Sequence, residues 1–284
     1  MARLYKSGKV VEGSKYFAPA QTKPRSSRRK GGSSVAKRDA NGNQAIRRLA
    51  RLLNCGFRTG DLLLTPKYDA EGMEQIDGDW DKAGNQLKLL KDRIGRVFKS
   101  MGCVFRWVIM TSAKDEVTGE PVRLHHHMVV SGGAFTLRDG VLYLGDRKLD
   151  EIWGLGTVDW QPLRHQDDFT PLAVYLVRQA RCKPNEQKWR SSRNIPKTEW
   201  EDVELTAAGI REYNLHKKKG WPRLAVSTDG ELVVPAGCTT MENGKYDPET
   251  GTHYIRYLLP EARGQKPASP PEERRGKRGE RREL

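Results

Sequence analysis

The sequence predicts an α+β domain with a central antiparallel sheet and packed helices. Two observations carry this expectation. Residues 103–112 and 124–130 are rich in β-branched, aromatic and large apolar side chains and are separated by a short segment, 113–122, containing Gly119 and Pro121. Runs of that composition joined by a turn read as antiparallel neighbours. Ahead of them lies the clearest helical pattern in the chain, residues 81–100, where Leu87, Leu90, Ile94, Val97 and Phe98 share one face and Lys88, Lys91, Arg93 and Lys99 occupy others. With a Leu-rich strand before that helix and a further helix after the strand pair, the order is β-α-β-β-α.

The remaining elements follow in chain order. Residues 1–42, rich in Lys, Arg, Ser and Gly, read as a disordered basic arm suited to non-specific contact with a nucleic-acid backbone. Order is expected from residue 43. Ile46, Leu49, Leu52 and Leu53 stand at helical spacing, with Arg47, Arg48 and Arg51 between them. Residues 61–65 read as a strand that ends or reaches an edge at Pro66. A polar loop, 69–79, precedes the long helix, which Gly102 stops. Residues 134–144 predict a small hairpin around Asp139-Gly140, followed by a short helix at 147–153 and a strand at 156–162. Pro171 suits the first turn of a helix running to about residue 181. Beyond residue 183 the pattern weakens to a helix around 203–216 and strand-like pieces at 224–226, 232–234 and 254–259. The predicted organisation is a basic arm (1–42), an ordered domain (43–197), a C-terminal extension (198–260) and a disordered charged tail (261–284).

Composition speaks to partners. The chain of 284 residues carries a formal net charge of +15, a balance that points to a polyanion such as nucleic acid. No apolar run approaches the roughly 18 residues of a membrane span, and the N-terminus lacks the apolar core of a signal peptide. Cys55, Cys103, Cys182 and Cys238 form no CxxC pair, so reduced thiols in a cytoplasmic protein are expected rather than a zinc ribbon or redox pair. No internal repeat and no Walker A motif is present, which argues against an attached helicase of that type.

The chemistry concentrates in two places. His125-His126-His127, three of the six histidines, run into Met128-Val129-Val130, a run that reads as a buried central strand. On a strand, His125 and His127 share a face and His126 points the other way. Two imidazoles side by side make half of a divalent-metal site; a structural histidine pair is the competing reading. Tyr175 lies on the predicted helix with Arg178 one turn further. A lone helical tyrosine is ordinarily core. Facing a His-bound metal it can instead attack a phosphodiester, with an adjacent cation holding the phosphate. Arg47, Arg48, Arg51, Arg190 and Arg193, with the helix lysines, are candidates to hold a nucleic-acid strand. Trp107, Trp160 and Trp189 are candidates either to stack on bases or to fill the core.

Taken in order, these segments resemble the HUH endonucleases, and among them the rolling-circle replication initiators (Rep proteins) of single-stranded DNA phages and small plasmids. Leu62-Leu63-Leu64-Thr65-Pro66-Lys67-Tyr68-Asp69 resembles the first strand motif, His125-His126-His127 the His-hydrophobic-His motif, and Tyr175-Leu176-Val177-Arg178 the tyrosine motif. Trp153-Gly154, Gly156-Thr157-Val158-Asp159 and Ser191-Ser192-Arg193-Asn194 are similar to phage-type members, so the resemblance spans about residues 43–197.

The resemblance implies a nuclease domain of ferredoxin-like topology in which His125 and His127 hold Mg²⁺ or Mn²⁺. Tyr175 would cut single-stranded DNA at a replication origin, leaving a 5′-phosphotyrosine and a 3′-OH that primes synthesis in the cytoplasm of a bacterial host. A host helicase and polymerase would complete replication. The chain departs from the family pattern at three points. His126 replaces a hydrophobic residue, Arg178 replaces the usual Lys, and Met110-Thr111-Ser112 lacks the Glu that supplies a third metal contact in many members. The third ligand is thus left among a water, Asp115, Glu116 or a residue elsewhere. Two alternatives stand beside this reading: a relaxase or single-tyrosine transposase of the same superfamily, and a non-catalytic nucleic-acid-binding protein with structural histidines.

Overall fold

The computed structural model describes residues 2–15, 35–114, 121–180, 187–203, 211–214, 223–226, 231–235, 237–244 and 253–260. In chain order, β1 (Ala2–Ser7) and β2 (Val10–Lys15) precede α1 (Val35–Gly56), β3 (Leu62–Tyr68), α2 (Ala70–Ile76) and α3 (Trp80–Ser100). Then come β4 (Trp107–Lys114), β5 (Pro121–Val130), β6 (Phe135–Arg138), β7 (Val141–Leu144), β8 (Arg147–Lys148), α4 (Leu149–Trp153), β9 (Gly156–Pro162) and α5 (Thr170–Gln179). Short strands complete the chain: β10 (Arg190–Ser191), β11 (Glu199–Val203), β12 (Arg211–Asn214), β13 (Arg223–Val226), β14 (Leu232–Val233), β15 (Thr239–Asn243) and β16 (His253–Leu258).

The fold is α+β with antiparallel sheets. The central sheet has the order β10-β4-β5-β3-β9, with every pairing antiparallel, so the His-bearing β5 sits at its middle between β4 and β3. Side-chain alternation gives this sheet two apolar faces. Leu62, Leu64, Ile109, Met128 and Val130 join Leu87, Leu90, Ile94 and Phe98 of α3 and Ile152 and Trp153 of α4 in one core. Val108, Met110 and Val129 join Leu49, Ala50 and Leu53 of α1 and Ala173, Leu176 and Val177 of α5 in the other. The long helix begins where Asp79 caps it, accepting from the amides of Asp81 and Lys82.

Local chemistry accounts for the turns that aim the strands. Asp139 and Gly140 both take positive φ (49° and 78°), as a tight two-residue hairpin demands, and they join β6 to β7 within the predicted insertion. Gly156 opens β9 at φ 136°, where an added Cβ would lie 2.4 Å from the Lys67 carbonyl oxygen and 2.5 Å from the Asp69 amide nitrogen. Only glycine lets β9 close against the end of β3 there.

Several expectations are corrected. The strand at Leu62 continues through Pro66 to Tyr68 and is interior. Its pairing with β5 lapses at Thr65 and Pro66 and resumes at Lys67, so the missing proline N–H falls in a gap of that ladder. The loop at 69–79 holds α2, because Asp69 caps it by accepting from Gly72 and Ile76 buries itself in the core. The strand beginning at 103 starts four residues later: residues 103–106 are extended cover, with Phe105 packed on Phe98 at 4.8 Å between ring centroids. The helix around 203–216 is replaced by β11 and β12 among the described residues.

The largest correction concerns the ends. Residues 2–15 of the expected arm form a hairpin in a second five-stranded antiparallel sheet, ordered β11-β1-β2-β16-β15. The expected extension thus pairs with the N-terminus, joining segments about 240 residues apart in sequence. Ala2, Leu4, Val11, Ile255 and Tyr257 bury one face of this sheet with Leu232. The averaged basic composition of residues 1–42 hid a short apolar alternation whose partners lie at the other end of the chain. The Lys/Arg-rich stretch of the arm and the tail at 261–284 fall outside the described residues.

The other face of the second sheet meets α1 through charge. Arg51 stacks over Tyr5 at 3.6 Å from the ring centroid and ion-pairs with Glu12, whose side chain is 3% exposed. Arg47 stacks over Tyr254 at 4.2 Å. Removing one partner of a buried pair strands the other charge. Arg51→Met is expected to cost about 3 kcal/mol in urea unfolding, and Arg51→Met with Glu12→Leu to recover most of it. A single-variant loss under about 0.5 kcal/mol would show that the pair behaves as a surface contact.

Candidate functional site

The gap beside Pro66 opens onto the α5 side of the sheet. There Leu63, Thr65 and Lys67 of β3, His125 and His127 of β5, Thr157, Asp159 and Gln161 of β9, and Tyr175 and Gln179 of α5 border an open cleft of about 640 Å³. The strand residues alternate i, i+2 because one face of a pleated strand looks one way.

The expected opposition of the histidines holds in the structure. His125 and His127 face α5, and their Nε2 atoms lie 3.2 Å apart. His126 points into the opposite core, fully buried, where it is held 2.7 Å from the Tyr68 hydroxyl at Nε2 and 3.0 Å from Thr111 Oγ1 at Nδ1. Burial first, then the neighbouring His125 and His127, holds His126 down to about 3. Burial likewise pushes the Tyr68 phenol well above its ordinary range. The pair is therefore a neutral buried polar link. His126 acts as a fixed point for β5, filling a core position with both ring nitrogens satisfied.

The site-facing rings have defined tautomers. His125 Nδ1 donates to the Arg123 carbonyl at 2.9 Å, which turns Nε2 toward His127 and the cleft. His127 is almost wholly buried; burial and then His125 hold it down to about 4, against the opposing effect of its bond to Gln179. Its Nε2 donates to Gln179 Oε1 at 2.7 Å, while its Nδ1 has no hydrogen-bond partner.

Gln179 is the site residue that sequence reasoning missed. It lies four residues after Tyr175, one helical turn along, whereas Arg178 at three residues is exposed and is not part of the cleft wall. The i, i+4 spacing of two polar residues on an otherwise apolar helix was the available signal. The Gln179 carbonyl accepts from Ser112 Oγ at 2.9 Å, and Ser112 bridges to Ala180, so the end of α5 is tied to β4. The Tyr175 ring meets His127 at 5.4 Å between centroids.

Three donor atoms thus converge: Nε2 of His125, Nε2 of His127 and Oε1 of Gln179. Among the described residues no group of three or more His, Cys, Asp or Glu side chains gathers to hold a metal, so no described carboxylate completes the histidine pair. Asp115 and Glu116 lie outside the described residues. Two neutral imidazoles and an amide oxygen, all uncharged, fit Mn²⁺ more readily than Mg²⁺, which favours all-oxygen shells. A cation here would displace the proton that His127 Nε2 donates to Gln179.

The expected DNA-contacting residues divide. Arg51 is committed to Glu12 and Tyr5, so it is unavailable, and Arg47 is stacked on Tyr254. Arg48 is exposed on α1; Arg190 and Arg193 are exposed at the β10 edge, across the sheet from β9, and none of the five lines the cleft. The basic groups at the cleft are Arg123 and Lys67, the latter paired with Asp159 where both are half exposed. Of the tryptophans, Trp160 and Trp107 pack on the α3 core, Trp160 also bordering the cleft and Trp107 with Lys91 Nζ 5.1 Å from its ring, and Trp189 packs on the α1–α5 core.

No protein-family model, curated protein or solved structure matches this chain. No helix among the described residues is long and apolar enough to cross a membrane.

Two substitutions separate support from ligation. His126→Ala should cost about 3 kcal/mol of stability, because it opens a cavity and leaves two buried hydroxyls unpaired, while the cleft donors stay in place. Gln179→Ala should leave the protein folded and weaken Mn²⁺ binding at least about tenfold, with Gln179→Glu tightening it. Calorimetric titration with Mn²⁺ checks both, and equal Mn²⁺ affinity in wild type and Gln179→Ala would remove Gln179 from the donor set.

Proposed function

We propose that this protein is a metal-dependent single-strand DNA endonuclease and strand transferase of the HUH type, acting as a rolling-circle replication initiator. The observation that carries the reading is the placement of Tyr175 against His127 on the same helix face as Gln179, which gathers a nucleophile and three uncharged donors in one cleft. The strand order supports it as well. Taking β3, β4, β5 and β9 as the four core strands, the sheet reads second-third-first-fourth with all neighbours antiparallel, which is the ferredoxin-like order that such a nuclease domain needs. The net charge of +15 suits a DNA partner.

In this reading His125, His127 and Gln179 hold Mn²⁺ or Mg²⁺, which supplies Lewis-acid polarisation of the scissile phosphate when bound. The Tyr175 phenol oxygen attacks phosphorus, the bond to the 3′ oxygen breaks, and the phenol proton is passed to solvent as the leaving oxygen gains one. The products are a 5′-phosphotyrosine and a free 3′-OH. Because one phosphoester replaces another, no nucleotide triphosphate is consumed, and attack by a 3′-OH on the tyrosyl ester rejoins the strand. Lys67 and Arg123 at the cleft rim would hold flanking phosphates.

The test is a randomised single-stranded DNA library incubated with protein and Mn²⁺, followed by isolation of adducts that survive detergent denaturation. Wild type should yield an adduct at one preferred sequence. Tyr175→Phe should yield none, and His125→Ala with His127→Ala should lose metal-dependent cleavage. An adduct formed by Tyr175→Phe would sink the nucleophile assignment. Retention of DNA by wild type with no adduct would favour the non-catalytic nucleic-acid-binding reading. The sequence cut, set beside its genomic neighbourhood, separates an initiator from a relaxase or transposase.

A further inference from the structure

The helix that carries Tyr175 and Gln179 starts without a cap of its own: Phe169 precedes Thr170 and supplies no side-chain hydrogen bond. The missing partner comes from Asp168, whose Oδ1 accepts from the Thr170 amide at 3.1 Å and from Thr170 Oγ1 at 2.7 Å. A carboxylate there also complements the helix dipole. Asp168 is in turn fixed from two other elements. Asn54 of α1 donates to Asp168 Oδ1 at 3.2 Å and accepts from the Phe169 amide at 2.7 Å. Arg256 of β16 donates to Thr170 Oγ1 at 2.9 Å and places Nη2 3.4 Å from Asp168 Oδ2, with its side chain 17% exposed and that of Asp168 9%. Beside them, Lys9 in the turn between β1 and β2 pairs with Asp167 at 2.8 Å.

The second sheet therefore reaches the first turn of the nucleophile helix through Arg256, and the residues just before it through Lys9. We propose that Arg256 is a positioning residue for cleavage: by holding Asp168 and Thr170 it sets the seat of α5, and so the approach of Tyr175 to the histidines, which makes the second sheet a working part of the nuclease. The proposal rests on the function proposed above. Its mechanical basis is short-range. The far end of α5 is tied to β4 through Ser112, so release of the near end lets the helix tilt about that tie. At a rise of about 1.5 Å per residue, a tilt of about 10° displaces Tyr175 by roughly 1 Å. A displacement of that size can cost about a hundredfold in rate.

The experiment compares full-length wild type, Arg256→Gln, Arg256→Lys, Asp168→Asn and the Arg256→Gln/Asp168→Asn pair. Two readouts are taken well below the unfolding midpoint: hydrogen exchange of the α5 amides, and single-turnover adduct formation with saturating DNA selected from the library. Arg256→Gln should speed exchange in the first turn of α5 at least about tenfold, with the central strands unchanged, and slow adduct formation about ten- to a hundredfold with DNA affinity unaltered. Arg256→Lys should restore part of the rate, and the double variant should lose no more than the worse single one, because both act through one contact. Unchanged exchange in α5 together with unchanged adduct formation in Arg256→Gln would overturn the proposal, as would additive losses. If wild type forms no adduct, the function proposed above fails on that result. The seating role is then decided by exchange in α5: faster exchange in the first turn of Arg256→Gln retains it, and unaltered exchange removes it.

Discussion

The sidedness of one strand governs this molecule. On β5 successive side chains must point to opposite faces, and the strand lies between two neighbours that deny it any other orientation. His126 takes the closed face, where Tyr68 and Thr111 satisfy both ring nitrogens. That fixes His125 and His127 on the other face without further choice. A slip of one residue would put a single imidazole in the cleft and two in an apolar core with no partners. The polar core position, unusual in an otherwise apolar stripe, thus acts as a register mark. An apolar residue there would fill the space but would penalise a slipped register less, since it has no hydrogen bonds to lose.

Burial also shapes what the site can be. Burial of His127 disfavours its charged form, and a second charge on His125, 3.2 Å away, would add repulsion; both hold the His127 pKa down. Neutral rings are the ligating form, so the same burial that withholds charge prepares the donors. The Gln179 oxygen adds a donor without adding charge, leaving the positive charge of a bound cation unneutralised by the protein. Under the proposed function a phosphodiester would neutralise it, which would couple anion binding to metal binding in one cleft.

What the sequence disclosed follows the range of the interactions involved. The helix at 81–100, the hairpin at Asp139-Gly140, the proline-started helix at Thr170 and the alternation of the three histidines are all local: each rests on residues within about two turns or one hairpin of each other. The second sheet was illegible because β1 and β2, though a local hairpin, are short and complete their sheet only with the distant β11 and β16, so the segment looks like part of a polar arm. Arg51 shows the same limit. An arginine on the polar side of a helix pattern reads as solvent-facing and DNA-seeking, and only the folded chain supplies Glu12 and Tyr5 to claim it. Gln179 was nearer to reach. The sequence reading followed Arg178 for its charge, although four residues, more than three, returns a side chain to the same side when the helix also has to bury Leu176 and Val177.

The contact between the two sheets and their shared helices is unusual in its chemistry, and that chemistry bears on precision. Where α1 and α5 meet the second sheet, the named contacts are directional: guanidinium to carboxylate at Arg51 and Glu12, guanidinium over ring at Arg47 and Tyr254, and guanidinium to a helix start at Arg256, Asp168 and Thr170. An apolar interface of the same size tolerates small slides, because many packings of similar volume have similar energy. A partly buried guanidinium with fixed acceptors does not, since a shift of an ångström breaks hydrogen bonds that water cannot readily replace. Such contacts add little net stability over apolar ones. Their value here is positional: α5 is packed against apolar side chains on its inner face, which hold it on the sheet, and is pinned by polar contacts at both ends, which hold it at one place along the sheet. The proposed attack of Tyr175 on phosphorus would require both.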